Sequence, residues 1–176
     1  NTNLLPYRWN AILKDALATI RPTNPTRAII VGPTSWNNAN DLVNLELPAE
    51  DRNLIVTFHL YEPFPFTHQG AEWVNGSDGW LGTTWEGTAA EERQLLTLLD
   101  KATAWAVKRQ RPLFLGEFGA YSKADLPSRA RWTSFVARRA EERAISWAYW
   151  EFGAGFGVYD RDRNASRSDE IFVPGM

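Results

Sequence analysis

The sequence contains no cysteine, which excludes disulfide bonds and thiolate metal sites. No stretch approaches the roughly 20 apolar residues that a membrane helix needs. Lysine and arginine (19) nearly balance aspartate and glutamate (21), and no basic run predicts a nucleic-acid partner. No glycine-rich nucleotide-binding motif follows an apolar run. With only two histidines and no evident third ligand, we expect neither a metal nor a cofactor. The 176 residues suit one domain.

Aromatic residues are abundant: nine tryptophans contribute to an aromatic content of 13%. Trp9, Trp105 and Trp132 fall in helical patterns and are predicted to lie in the core. Five others sit in or beside segments rich in glycine, asparagine, serine and threonine, where rings either stack on flat ligands or pin loops to the body. This second group comprises Trp36, Trp73, Trp80, Trp85 and Trp150.

Three segments have the apolar periodicity of amphipathic helices. The first runs from Trp9 to Ile20, with Pro6 in its first turn. Thr88 and Glu91 form a capping box that opens the second, and Ser128 is the predicted cap of the third. A short helical turn is expected near residues 41–45.

Four apolar runs are predicted strands, and helices separate the last three, so the order indicates a parallel α/β sheet with helical crossovers. Two architectures fit this order: an open doubly wound sheet and part of a (β/α)8 TIM barrel. The strands are residues 28–33, 54–61, 112–119 and 144–152.

Polar and aromatic residues fall at or just beyond the ends of these strands. Glu117 ends a buried run, where a carboxylate costs several kcal/mol unless it is paired. Trp36 follows the first strand, His59 and Tyr61 end the second, and Trp150 ends the fourth. Side chains gathered at the carboxyl ends of several strands favour the barrel. Cleavage of a glycosidic bond, which uses two carboxylates, fits this set better than metal-dependent or serine hydrolysis.

Four segments resemble the cellulases of glycoside hydrolase family 5. The likeness implies an eight-stranded barrel and retaining hydrolysis of β-1,4-glucosidic bonds in cellulose or a related β-glucan without a metal. It also implies an extracellular location, although no signal peptide is visible in this chain. The segments are RAIIVGPTSWNN (27–38), TFHLYEPFPFTHQGAEW (57–73), PLFLGEFGAY (112–121) and WAYWEFGAGFGVYD (147–160).

The resemblance assigns roles to individual residues. Glu117 corresponds to the nucleophile, and His59 and Tyr61 to a pair on the sixth strand of the barrel, with Tyr61 hydrogen-bonding the nucleophile. Trp150 corresponds to the tryptophan platform beneath the sugar. Further subsite-lining residues implied in this way are Trp36, His68 and Trp73.

The chain departs from the family by lacking its acid/base and the Arg and His that the family supplies from earlier strands. The family's acid/base is the glutamate of an Asn-Glu-Pro motif ending strand four, and no Asn-Glu pair occurs here. The chain is therefore expected to be one C-terminal half-barrel domain, strands five to eight, over residues 1–176. Its tail, 161–176, has poor helical periodicity and is expected to be frayed. Alternation predicts that Glu62 and Glu151 point away from the mouth, and Glu72 and Glu86 lie in loops.

A half barrel would expose two sheet edges and one interior face. We therefore expect either a complementary N-terminal half-barrel, which would supply the acid/base, or a homo-oligomer. The alternative is a catalytically inactive, carbohydrate-binding or self-associating fragment. Related scaffolds also act on mannan and xylan, so the preferred β-glycan stays open.

Overall fold

The computed structural model describes residues 3–172, which form six helices and six strands together with two short 3-10 helices. The helices are α1 (Pro6–Ile20), α2 (Thr34–Asn37), α3 (Phe64–Thr67), α4 (Ala89–Arg109), α5 (Leu126–Glu141) and α6 (Ser168–Ile171). The strands are β1 (Ile29–Val31), β2 (Leu54–Leu60), β3 (Leu113–Phe118), β4 (Ser146–Trp147), β5 (Tyr159–Asp160) and β6 (Ala165–Ser166). The 3-10 helices are Ala39–Asn44 and Ser77–Trp80.

The main sheet has the order β1-β2-β3-β4, and every neighbouring pair is parallel. Helices or helical turns lie between consecutive strands of this sheet, as the long connections between parallel strands require. The predicted parallel α/β order is confirmed. Strand β4 is much shorter than the predicted run 144–152, because regular pairing ends at Trp147, although the N–H groups of Ala148 and Trp150 still donate to carbonyl oxygens of β3.

The helix starts follow local capping chemistry. Pro6 occupies the first turn of α1, as predicted. The capping box of Thr88 and Glu91 is present at the start of α4. The predicted Ser128 cap of α5 is wrong: the cap is Asp125, whose carboxylate accepts a hydrogen bond from the Ser128 backbone N–H.

One hydrophobic core joins α1, α4 and α5 to one face of the sheet. Alternate residues of β2, beginning at Leu54 and ending at Leu60, supply the sheet side of this core. Trp132 is fully buried, and Trp9 and Trp105 pack against the core, as their helical positions predict. Trp85 is also buried, so this loop tryptophan is a core residue and not a ligand platform.

The opposite face of the sheet carries no such cover in the described residues. Ile30, at the centre of β1, is 55% exposed. In addition, no strand within residues 3–172 pairs with the outer edge of β1 or of β4. An open doubly wound sheet would cover both faces with helices, so the arrangement matches a sector cut from a barrel.

The tail expected to be frayed is partly regular. Strands β5 and β6 form an antiparallel hairpin, and α6 follows, with Ile171 buried against α5. Residues 173–176 lie outside the described residues. No helix within the described range is both long and apolar enough to cross a membrane.

Candidate active site

A bulge in β3 sets the position of Glu117. The register pairs Phe58 with Leu115 and then His59 with Glu117, which leaves Gly116 as an extra residue in the ladder. A side chain at Gly116 would lie 2.4 Å from the Thr57 hydroxyl oxygen, so only glycine fits this approach of the two strands. The bulge therefore puts the Glu117 side chain beside that of His59 at the carboxyl end of the sheet.

Two side chains of β2 and its end contact the Glu117 carboxylate. The Tyr61 hydroxyl donates a hydrogen bond of 2.9 Å to Oε2. The Nδ1 atom of His59 lies 3.3 Å from the same oxygen. The Glu117 side chain keeps 29% of its surface exposed, against 15% for His59. One carboxylate oxygen is thus held from the protein side while the group still reaches solvent.

Burial determines the protonation of the two partners. It raises the pKa of Tyr61 far above its usual value, and the neighbouring Glu117 charge raises it further, so the phenol stays a donor. Burial also lowers the pKa of His59, although the Glu117 charge opposes this effect. At neutral pH the Glu117 carboxylate therefore lies beside a neutral phenol, which donates to it, and a neutral imidazole ring.

A cavity of about 1130 Å³ opens over this group. The three tryptophans on its border are unusually exposed for their size: Trp36 is 66%, Trp73 60% and Trp150 45% exposed. Exposed indole faces around a polar cleft suit stacking against the flat faces of sugars. All seven residues predicted for the site therefore line one cavity.

His68 lies in the cavity wall and is largely buried. Its ring stacks on Phe64 with centroids 4.0 Å apart, and its Nδ1 is 2.9 Å from the Thr67 hydroxyl. Because desolvation disfavours the charged ring, its pKa falls to about 4. The ring is therefore neutral across the usual working range.

The other carboxylates near the mouth are bound to the backbone or to another side chain. Glu151 lines the cavity, contrary to the alternation argument, because the chain has already left β4 at this point. Its oxygens accept backbone N–H groups of Gly153, Ala154 and Phe156. Glu62 also lines the cavity and accepts the Tyr61 N–H at 3.2 Å. Glu72 accepts the Tyr121 hydroxyl at 2.7 Å.

Two buried aromatic residues that the sequence argument did not single out support the cavity wall. The Phe156 ring contacts the rings of Tyr61, His68, Trp73 and Tyr121. Both Phe156 and Tyr121 belong to a second, smaller apolar cluster. Tyr121 closes the segment PLFLGEFGAY, and Phe156 lies between two glycines, but neither has a periodic pattern that predicts its contacts.

The described residues contain no group of three or more histidine, aspartate or glutamate side chains arranged to hold a metal ion. The arrangement offers one accessible carboxylate with its donors and a rim of aromatic rings. These groups suit nucleophilic attack on a carbon atom of a bound sugar.

Known proteins with the same sequence pattern are cellulases. The family profile described as cellulase, glycosyl hydrolase family 5, matches residues 2–155. Endoglucanase H of Acetivibrio thermocellus is 38% identical to this chain over 146 residues, covering 83% of the chain and 15% of that protein.

Two solved structures of Thermotoga maritima Cel5A, one with cellobiose and one with mannotriose, superpose with TM-scores of 0.92 and 0.91. Both are 47% identical to this chain and cover 96% of it, while the chain spans 55% of their length. The four parallel strands and their helices therefore correspond to half of a (β/α)8 barrel. Since the family profile matches most of its length, the chain belongs to the cellulases of glycosyl hydrolase family 5.

Proposed function

We propose that this chain carries the nucleophile side of a retaining endo-β-1,4-glucanase site, with Glu117 as the nucleophile. The observation that carries the proposal is the Glu117 carboxylate itself, accessible from a large cleft and held through Oε2 by Tyr61 and His59.

In the proposed reaction the free oxygen of Glu117 attacks the anomeric carbon. The bond between the anomeric carbon and the glycosidic oxygen breaks as the glycosyl–enzyme ester forms, and an acid protonates the glycosidic oxygen, which departs with the leaving sugar. Water, deprotonated by the same group, then attacks the anomeric carbon and releases Glu117. Tyr61 fixes the rotation of the carboxylate, so that Oε1 is the atom aimed at the sugar.

The acid/base is proposed to come from outside the described residues. A retaining enzyme holds its two carboxylates about 5–5.5 Å apart. In the described part of the chain Glu62, Glu72 and Glu151 are the carboxylates around the mouth, and each accepts hydrogen bonds from groups of its own loop or a neighbouring one. Glu62 and Glu151 line the cavity but accept backbone N–H groups, and the exposed Glu72 does not line it.

We infer that the partner is a complementary N-terminal half-barrel. The unpaired edges of β1 and β4 and the exposed Ile30 support this proposal, because a closed barrel would pair both edges and bury that face. A groove of about 940 Å³ beside α1, lined by Leu13, Leu17 and Leu47 among others, is a further surface that such a half could fill. A symmetric pair of copies of this chain is the competing assembly.

The substrate is proposed to be a β-1,4-linked glucan. The exposed Trp36, Trp73 and Trp150 suit a chain of sugar rings, and the solved neighbour binds cellobiose as well as mannotriose. A polymer of this kind cannot cross a membrane, so we propose that the enzyme works outside the cell. Without a partner, the same aromatic rim supports a second function, binding of oligosaccharide without turnover.

A mechanism-based label separates these possibilities. A 2,4-dinitrophenyl 2-deoxy-2-fluoro-β-cellobioside has a leaving group that needs no proton, so Glu117 can form the ester without an acid. We expect the intact mass to rise by one fluorocellobiosyl group, with the label on the peptide containing residues 113–118. Glu117→Gln should stay unlabelled, while Glu86→Gln, at an exposed ion pair with Arg131, should label normally.

Release of sugar from carboxymethyl cellulose is the companion assay. Labelling without release from the chain alone, followed by release when the N-terminal half-barrel is added, supports the proposed division of the site. Oligosaccharide binding with no labelling at Glu117 would instead establish the binding fragment. Label on any other carboxylate would refute the assignment of the nucleophile.

A further inference from the structure

The short segment named α2, directly after β1, has an unusual backbone and is a left-handed turn, not a regular helix. Ser35, Trp36 and Asn37 are consecutive non-glycine residues in the left-handed region, with φ of 53°, 56° and 59°. This conformation costs about 1–2 kcal/mol per residue. Contacts on both sides hold it, including a 2.8 Å hydrogen bond from the Thr34 hydroxyl to Asp41. Backbone strain of this kind is concentrated at functional sites.

The strained turn delivers the Asn37 side chain to His59. The amide nitrogen Nδ2 of Asn37 lies 3.2 Å from Nε2 of His59. Gly32 makes room for the amide, since a Cβ there would lie 2.1 Å from Asn37 Oδ1. Next along the chain, Asn38 forms a parallel bridge with His59, which ties the turn to the end of β2.

The two ring nitrogens of His59 therefore have different partners, and their chemistry fixes the proton. Nδ1 faces the Glu117 carboxylate, an acceptor only, so Nδ1 must carry a hydrogen. In a neutral ring Nε2 is then an acceptor and needs a donor. The amide N–H of Asn37 is that donor. An imidazolium would instead require the amide oxygen to face Nε2.

We propose that Asn37 is a positioning residue that holds His59 as the neutral Nδ1–H tautomer, with its N–H directed at Glu117. The role of this hydrogen bond in catalysis rests on the proposed function of Glu117. By occupying the Nε2 lone pair, Asn37 opposes protonation of the ring, as burial of the ring also does. Glu117 is then oriented by a neutral donor and is not locked in an ion pair with a cation.

Nitrogen-15 NMR of the histidine rings tests this assignment without substrate or turnover. The chain contains two histidines, His59 and His68, so a His68→Gln variant identifies the His59 signals. At neutral pH we expect Nδ1 of His59 to have the nitrogen-15 chemical shift of a protonated ring nitrogen, and Nε2 that of an unprotonated one. Titration should show protonation of His59 below its ordinary pH range, with Glu117 and Tyr61 as the neighbouring titratable groups.

Two substitutions at Asn37 keep the left-handed backbone accessible. Asn37→Gly removes the amide at little conformational cost, and we expect the ring to become a mixture of tautomers. Asn37→Asp replaces the donor with a carboxylate, so that both ring nitrogens face acceptors, which should favour the doubly protonated ring and raise the pKa of His59 by about one unit or more. Gly32→Ala, which displaces the amide without changing it, should reproduce the Asn37→Gly spectrum.

Asn40→Ala is the matched control. Asn40 lies in the 3-10 helix that directly follows, is exposed, and its side chain accepts a hydrogen bond from Lys101 at 2.9 Å. Its removal should leave the His59 spectrum unchanged. Unchanged His59 tautomer and titration in both Asn37→Gly and Gly32→Ala would overturn the proposal. Because fluorosugar labelling tests Glu117 separately, a failure of either proposal can be recognised independently of the other.

Discussion

His68 should make the stability of the fold depend on pH. Only 8% of the residue is exposed, and its ring stacks on that of Phe64 with centroids 4.0 Å apart. Burial lowers the pKa of the ring to about 4, from an ordinary value of 6.5. The perturbation is therefore acidification from pH 7 to pH 4.5, which crosses the ordinary pKa but stays above the lowered one.

The direction follows from proton binding in the two states. Between these two pKa values the unfolded chain takes up a proton on His68, while the folded chain does not. Lowering the pH through this window therefore favours unfolding, and the stability is fully present only above the unfolded pKa. For a shift of this size, the free energy of unfolding should fall by about 2 kcal/mol between pH 7 and pH 4.5 from His68 alone.

Urea unfolding followed by tryptophan fluorescence at both pH values measures this loss. His68→Gln removes the titrating ring, so the variant should lose about 2 kcal/mol less than the wild type over the same interval. His59, whose pKa is also lowered, contributes in the same direction in both proteins and cancels in the comparison. If the free energy of unfolding falls equally in the wild type and the variant, protonation of His68 does not cause the loss of stability in acid.

Two further predictions concern stability. Gly155→Ala should destabilise the protein by about 1–3 kcal/mol in urea unfolding, because the new Cβ would lie 2.2 Å from the Tyr121 ring. Gly79→Ala is the control, since its Cβ would enter open space and should change stability little. Equal effects of the two substitutions would contradict the packing argument. Thr88→Ala should reduce the free energy of unfolding, measured by thermal denaturation, by about 1 kcal/mol, because it removes the cap of α4. Thr97→Ala, on the exposed face of the same helix, should cost less. The reverse order would disprove the role of the cap.

Periodicity and capping made the large elements predictable. Helix α1 follows from its apolar stripe and Pro6, and the start of α4 from the capping box at Thr88. Five of the seven candidate site residues could be collected because each follows or ends an apolar run, and parallel strands end at a common edge. His68 and Trp73 were placed in the site by the resemblance to a family. The same resemblance added the roles of all seven.

Other features depend on contacts that no local pattern encodes. Trp85 lies in a segment with loop composition, yet tertiary packing buries it. Alternation failed at Glu151 because β4 stops at Trp147, so the residues that follow obey loop geometry and not strand geometry. Asn37 reaches His59 only through a left-handed turn, and a sequence window around Asn37 contains no sign of its partner 22 positions away.

The shortness of the outer strands has a consequence for how the molecule behaves at high concentration. The free edges of the sheet are only three residues long in β1 and two in β4. An edge of that length presents few unpaired backbone N–H and C=O groups, so it is a poor template for open-ended strand addition. Backbone pairing between molecules at these edges should therefore not propagate into fibres.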